Sequence, residues 1–197
     1  VTDFTRVDSH FGTNDEFRAF VDAAHARGIK VYMDIITNHT ADVIYFKECV
    51  GQPVCAYRSK ADYPYWTKGG LKGARINGGF EGDQVRTEEN FARLTDPDYA
   101  YTPQLPKGEE RIKVPAWLND PIHYHNRGNT SFYGEDSRYG DFVGLDDLMT
   151  ASPRVVDGFI EIYASWIDRF GIDAFRLAPA RTVNPRPLAP LAPSTLP

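Results

Sequence analysis

The sequence predicts an α/β fold with parallel strands, and three observations carry that prediction. A helix pattern, a glycine turn and a short β-branched run follow one another at residues 13–36 and again at 152–177. Between the two repeats, residues 40–151 hold no sustained helical period and are rich in Tyr, Gly, Pro and Asn. The chain of 197 residues is long enough to bury a sizeable core. In folds of this class function gathers in loops at the carboxyl ends of the strands.

The first helix is expected to open at Thr13, which has the spacing of a capping box with Glu16. Phe17, Phe20, Val21 and Ala24 then fall on one helical face, and Gly28 is the stop. Ile29–Ile36 is apolar and partly β-branched, which suits a mostly buried strand. The long stretch that follows is too rich in aromatics for disorder and reads as an inserted irregular domain. Ser152 is a good N-cap and Pro153 a good first helical residue. Val155, Val156, Phe159, Ile160, Tyr163, Trp166, Ile167 and Phe170 form an apolar stripe that ends at Gly171. Ile172–Leu177 is the second strand, and the proline-rich end is expected to be disordered. The expected division is 1–39, 40–151, 152–182 and 183–197.

Composition narrows the function. The net charge is −5, from 22 Lys and Arg against 27 Asp and Glu, so no basic excess favours nucleic acid. No apolar run approaches the ~18 residues of a membrane span, and no signal peptide is visible. Val1 stands where a Met would open a complete chain, so the native N-terminus is expected to be missing. Cys49 and Cys55 leave two readings open, a small disulfide loop and two free thiols. Gly69–Gly73 lacks the spacing of a phosphate loop, and the two cysteines with His123 and His125 make no zinc pattern. His123 and His125 read as surface loop histidines. Asp83, Glu88 and Glu89 read as solvated carboxylates. Tyr63, Tyr65, Trp66 and Trp117 read more readily as packing within the insertion than as an exposed ligand platform.

Two clusters fall at the ends of the two strands. Asp34, Asn38 and His39 follow the first, and Arg176 lies on the second. An Asp on an otherwise apolar strand needs a buried partner, so an Asp34–Arg176 pair across neighbouring strands is expected.

Asp34-Ile35-Ile36-Thr37-Asn38-His39 and Gly171–Leu177 resemble the strand-3 and strand-4 motifs of the α-amylase family of glycoside hydrolases. Leu145-Asp146-Asp147-Leu148 resembles the short motif near the end of that family's domain B, and Asp8–Thr13 the segment leading into helix 2. The resemblance implies a partial (β/α)8 TIM barrel with an inserted irregular domain B, and an α-glucan or maltooligosaccharide as partner. It implies that His39 contacts the sugar at the cleavage subsite and that Arg176 holds the nucleophile's carboxylate. It implies further that Asn38 and Asp147 ligate a structural calcium, and that the parent enzyme is secreted or periplasmic. Asp34 would be structural.

The departures are specific. The family's nucleophilic Asp position is Ala178 here, and a methyl group cannot attack an anomeric carbon. A retaining hydrolase needs that carboxylate and a second carboxyl ~5 Å away. The family's Lys-His pair appears as Arg181-Thr182, which leaves Arg181 to substrate and a Thr182 main-chain oxygen to calcium. A closed barrel takes ~250 residues, far more than remain outside the insertion. The chain is therefore expected to be a fragment, inactive in isolation. A non-catalytic α-glucan-binding pseudoenzyme on the same scaffold is the alternative.

Overall fold

The computed structural model describes residues 1–177. In chain order the elements are α1 (Asn14–His25), β1 (Tyr32–Ile35), β2 (Tyr45–Phe46), α2 (Glu88–Phe91), β3 (Pro103–Gln104), α3 (Asp136–Tyr139), α4 (Pro153–Phe170) and β4 (Ala174–Leu177). Single turns of 3-10 helix lie at Lys47–Cys49, Ala116–Asn119 and Pro121–His123.

The capping box opens α1. Thr13 Oγ1 accepts from the Glu16 N–H, and the Glu16 carboxylate accepts from the Thr13 N–H at 2.8 Å. The helix ends at His25, and Gly28 turns the chain with φ +70°, a conformation that favours glycine. Phe20 departs from the expected apolar face and is 58% exposed, while Phe17 packs edge-on against Trp166 and Phe170 of α4. Ser152 occupies the N-cap position of α4, but its side chain makes no cap bond. At the other end Gly171 adopts φ +72°, and its N–H bonds the Ile167 carbonyl.

β1 and β4 pair in parallel, with Tyr32 opposite Ala174 and Asp34 opposite Arg176. Each is preceded by its helix, the repeat of an α/β barrel, and the sheet among the described residues has two strands and no closure. The expected mostly buried first strand is corrected. Only Ile35 of β1 is buried, and Tyr32 and Asp34 are exposed. With one hydrogen-bonded neighbour, β1 keeps an open edge and an open face. The other face meets α4, whose Tyr163 hydroxyl donates to the Ile36 carbonyl at 2.7 Å.

The insertion has little regular structure. β2 and β3 pair antiparallel over two residues each, and isolated bridges join distant loops. Its aromatics do the work of absent secondary structure. Tyr65, Phe80, Leu94, Tyr99, Ala100 and Met149 form a separate core. Tyr101, Leu118, Tyr124 and Leu148 instead join Phe4, Phe159, Ile162 and Trp166 in the main core, so the insertion packs directly on α4. The cysteines form a disulfide, Cys49–Cys55, with Cα atoms 5.4 Å apart.

Candidate functional site

The site grows from the end of β1. Beyond the end of β1, Thr37, Asn38, His39 and Thr40 are all buried. Their backbone is held by the far end of the insertion. Leu148 N–H donates to the Asn38 carbonyl at 2.8 Å, and Thr40 N–H donates to the Asp146 carbonyl at 3.0 Å. His39 and Asp147 thereby sit opposite each other in an antiparallel bridge. A segment more than a hundred residues away in sequence thus acts as a strand partner and delivers Asp147 to Asn38. Asn38 Nδ2 donates to Asp147 Oδ1 at 2.8 Å. The other carboxylate oxygen, Oδ2, lies 2.7 Å from His125 Nδ1.

The electrostatics there are unfavourable for bare carboxylates. Burial pushes the Asp147 carboxyl well above its ordinary range, and the neighbouring Asp141 adds to the shift. Asp141, which accepts from the Asp147 N–H at 3.0 Å, is likewise pushed up by burial. Burial holds His125 down at about 3, so its imidazole is neutral and supplies no compensating charge. Asp146 faces the opposite way. It is paired with Lys113 and accepts from the Val43 and Ile44 N–H groups.

His39 is 8% exposed, and its ring stacks parallel on Phe142 with centroids 5.5 Å apart. Phe132 packs edge-on against Phe142. Phe132 and Val143 hold φ of +68° and +54°, strained for such side chains and of the kind that gathers at ligand clamps. Arg176 does meet Asp34, at 3.3 Å, but the pair is exposed rather than buried, because the face it occupies is open. Ala178, Arg181 and Thr182 lie outside the described residues, as does the proline-rich end.

Asn38 and Asp147 offer side-chain oxygens at one buried point, the donor chemistry of a hard cation. Neither Asp141 nor Asp147 has a Lys or Arg within ion-pair distance among the described residues, so added positive charge would suit the spot. Asn38 presents its amide N–H to Asp147, and a half-turn of the amide would present oxygen instead. No group of three or more His, Cys, Asp and Glu is placed to hold a metal among the described residues. The calcium chemistry therefore fits two side chains, with other ligands still required.

Several expectations are corrected. His125 is no surface histidine but is 2% exposed and bonded to Asp147. Asp83 is 4% exposed and paired with Lys60, whereas Glu88 and Glu89 are exposed in the first turn of α2. Tyr65 and Trp117 pack, the former in the insertion core and the latter against Phe159, while Trp66 stays 45% exposed. Asp141, Lys113 and Arg127 were not legible as site or core residues. Nothing in local spacing marks a charged residue whose partners lie elsewhere in the chain.

The alpha-amylase catalytic domain family matches residues 1–195. An alpha-amylase of Streptomyces lividans is 44% identical over 184 residues, covering 93% of this chain and 19% of that protein. A trehalose synthase/amylase of Mycobacterium tuberculosis is 29% identical over 178 residues, covering 90% of this chain and 22% of that protein. Among solved structures, a cyclomaltodextrin glucanotransferase with a three-domain ABC distribution superposes with a TM-score of 0.54 at 22% identity, over 95% of this chain and 28% of that one. That likeness concerns the fold alone, and it is consistent with part of a (β/α)8 barrel. The chain spans about a fifth of the length of these curated relatives. With a match along nearly its whole length and its four motifs in order, the chain belongs to the alpha-amylase catalytic domain family.

Proposed function

We propose that this chain is a segment of a retaining glycoside hydrolase that acts on α-glucans, and that by itself it binds glucan without cleaving it. The observation that carries the reading is the buried junction of Asn38, His39 and Asp147 beyond the carboxyl end of β1, the strand whose neighbour β4 carries Arg176. In α/β barrels that end is where substrate sites are built. His39 would contact the sugar, with Phe142 fixing its ring. Arg176 is a positioning residue that would orient and keep ionised a nucleophilic carboxylate. Arg181 would serve the substrate from beyond β4. Ala178 provides no such carboxylate, so neither half of a double displacement can run on this chain.

Asn38, Asp147 and a main-chain oxygen of Thr182 would hold calcium, which would neutralise the buried carboxylates and tie the insertion to the strand end. The Cys49–Cys55 disulfide supports an oxidising compartment, hence a secreted or periplasmic parent. No described helix is long and apolar enough to cross a membrane.

Titration of the 197-residue chain with maltoheptaose, in calcium and in chelator, tests the reading. Saturable binding that weakens in chelator, with no reducing sugar released from soluble starch, is the expected result. Release above a buffer blank overturns the claim of inactivity, and absence of binding overturns the site. Ala178 also keeps the pseudoenzyme alternative in play. That reading requires the parent gene to encode Ala at position 178, and Asp there would remove it.

A further inference from the structure

A row of rings leads outward from the strand-end site. The His39 imidazole stacks on Phe142 with centroids 5.5 Å apart, and Phe132 meets Phe142 edge-on at 5.4 Å. His39 is buried, Phe142 half-buried and Phe132 54% exposed, so the row runs from the interior to the surface. Tyr133 and Val143, next to these rings in the chain, are more exposed still. Apolar side chains of this size, facing water and continuous with a site, mark a surface that a ligand covers.

The loop that carries Phe132 is fastened at both ends. Asp136 accepts from the Thr130 hydroxyl at 3.1 Å and from the Ser131 and Tyr133 N–H groups at 3.0 and 3.1 Å. The Ser131 hydroxyl also donates to it. Phe132 N–H donates to Thr130 Oγ1 at 2.8 Å. Glu135 accepts from the Tyr57 hydroxyl at 2.7 Å and from the Lys60 N–H at 2.8 Å, which ties the loop to the rest of the insertion. These bonds hold Phe132 at φ +68°. An aromatic ring fixed in advance loses little entropy when a ligand meets it. A polar group adjoins the same turn. Phe142 and Leu145 exchange backbone hydrogen bonds, and the Asp42 carboxylate stands against Gly144 between them. A Cβ on that glycine would come within 2.9 Å of Asp42 Oδ2, so glycine makes room for the acid. Asp42 is exposed and accepts no hydrogen bond among the described residues.

We propose that Phe132, backed by Phe142, and the Asp42 carboxylate beside the same turn form a stacking subsite for a further glucosyl unit of the chain that His39 contacts. This rests on the glucan reading of the strand-end site and extends it to residues of the insertion. A glucosyl unit has an apolar C–H face and a rim of hydroxyls. The Phe132 ring meets the first, and a carboxylate with unused lone pairs accepts from the second. Continuity with His39 selects a ligand that reaches from one to the other, so a long oligosaccharide gains a contact that maltose lacks.

Calorimetric titration of the 197-residue chain with maltose and with maltoheptaose tests this. Phe132→Gly, which suits φ +68°, should weaken maltoheptaose binding about tenfold, the worth of one aromatic contact, and narrow the affinity gap between the two sugars. Asp42→Ala should weaken maltoheptaose binding severalfold. Trp66→Ala removes an exposed ring that is not part of this row and should change neither affinity. An unchanged gap in Phe132→Gly overturns the inference and leaves the proposed function standing. No binding of either sugar by the unaltered chain overturns both. A dimer in sedimentation that is lost in Phe132→Gly assigns the patch to a second copy and also overturns the inference. If Phe132→Gly does not fold, nuclear Overhauser contacts between maltoheptaose and the Phe132 ring of the unaltered chain decide. Their presence supports the subsite, and their absence overturns it.

Discussion

Lys113 and Asp146 form an ion pair 2.5 Å apart in which both side chains are essentially inaccessible to solvent. Lys113 also donates to the Tyr124 hydroxyl at 3.1 Å, so the pair is part of a bonded network rather than an isolated contact. Burial pushes Asp146 up to about 6 even with Lys113 beside it. Removing one partner strands the other charge, which costs ~3–5 kcal/mol at buried sites. Lys113→Met should therefore lower the unfolding free energy by about that amount in urea denaturation. The double substitution Lys113→Met with Asp146→Leu should cost less than the two single ones summed. Asp83 gives a prediction in pH. Burial pushes its carboxyl up, but the charge and hydrogen bond of Lys60 outweigh that and hold it below its ordinary value. A depressed folded-state pKa adds stability above the unfolded value and loses it as pH falls through the folded one. The unfolding free energy should therefore decline on acidification below the ordinary carboxylate range, and Asp83→Asn should flatten part of that decline. Neither pair was legible in the sequence, because 33 and 23 residues separate the partners and no local period relates them.

At the scale of elements, the two helices were legible because their signals are local. The Thr13–Glu16 box and the Gly171 stop act within one turn of themselves, so sequence spacing alone specifies them. What each face packs against was not local. Gly158 lies in the middle of α4, where Ala would ordinarily raise helix stability by ~1 kcal/mol. A Cβ there would fall on the Trp117 ring of the insertion, which rests against the helix at that point. Gly158→Ala should therefore destabilise the chain by about 1–3 kcal/mol, the usual cost of overpacking, as read by thermal unfolding. Met, Leu or Ala at position 117 combined with Gly158→Ala should recover part of the loss by making room. The exposure of β1 has an equally non-local cause. A strand's burial depends on how many neighbours flank it, and an apolar run cannot state that number.

For the molecule as a whole, the insertion is held by two cores, scattered bridges and one disulfide rather than by sheets or long helices. The Cys49–Cys55 bridge closes a short loop whose open form would be worth roughly 2 kcal/mol of chain entropy. Reduction should lower the urea midpoint accordingly, and hydrogen exchange at Met33 and Ile35 reports whether the β1–β4 pairing is weakened with it. Faster exchange at those amides would mean that the insertion and the sheet unfold as one unit, and unchanged protection that they unfold separately. The shared core of Tyr124, Leu148, Phe159 and Trp166 makes substantial coupling between them expected, so the reduction should also speed exchange globally in proportion to its cost.

The residues alone were enough for the α/β class, the two helix–strand repeats and membership of the family. Each of these rests on periods, caps and motifs confined to a few neighbouring positions. Tertiary structure decided which face of β1 is covered, that His125 and Asp83 are buried, and that Asp147 meets Asn38 across the whole insertion. It also decided that Arg127 is buried over the Tyr65 and Tyr99 rings. These outcomes depend on long-range pairing and on exclusion of water, and both are properties of the assembled core rather than of any window of the chain.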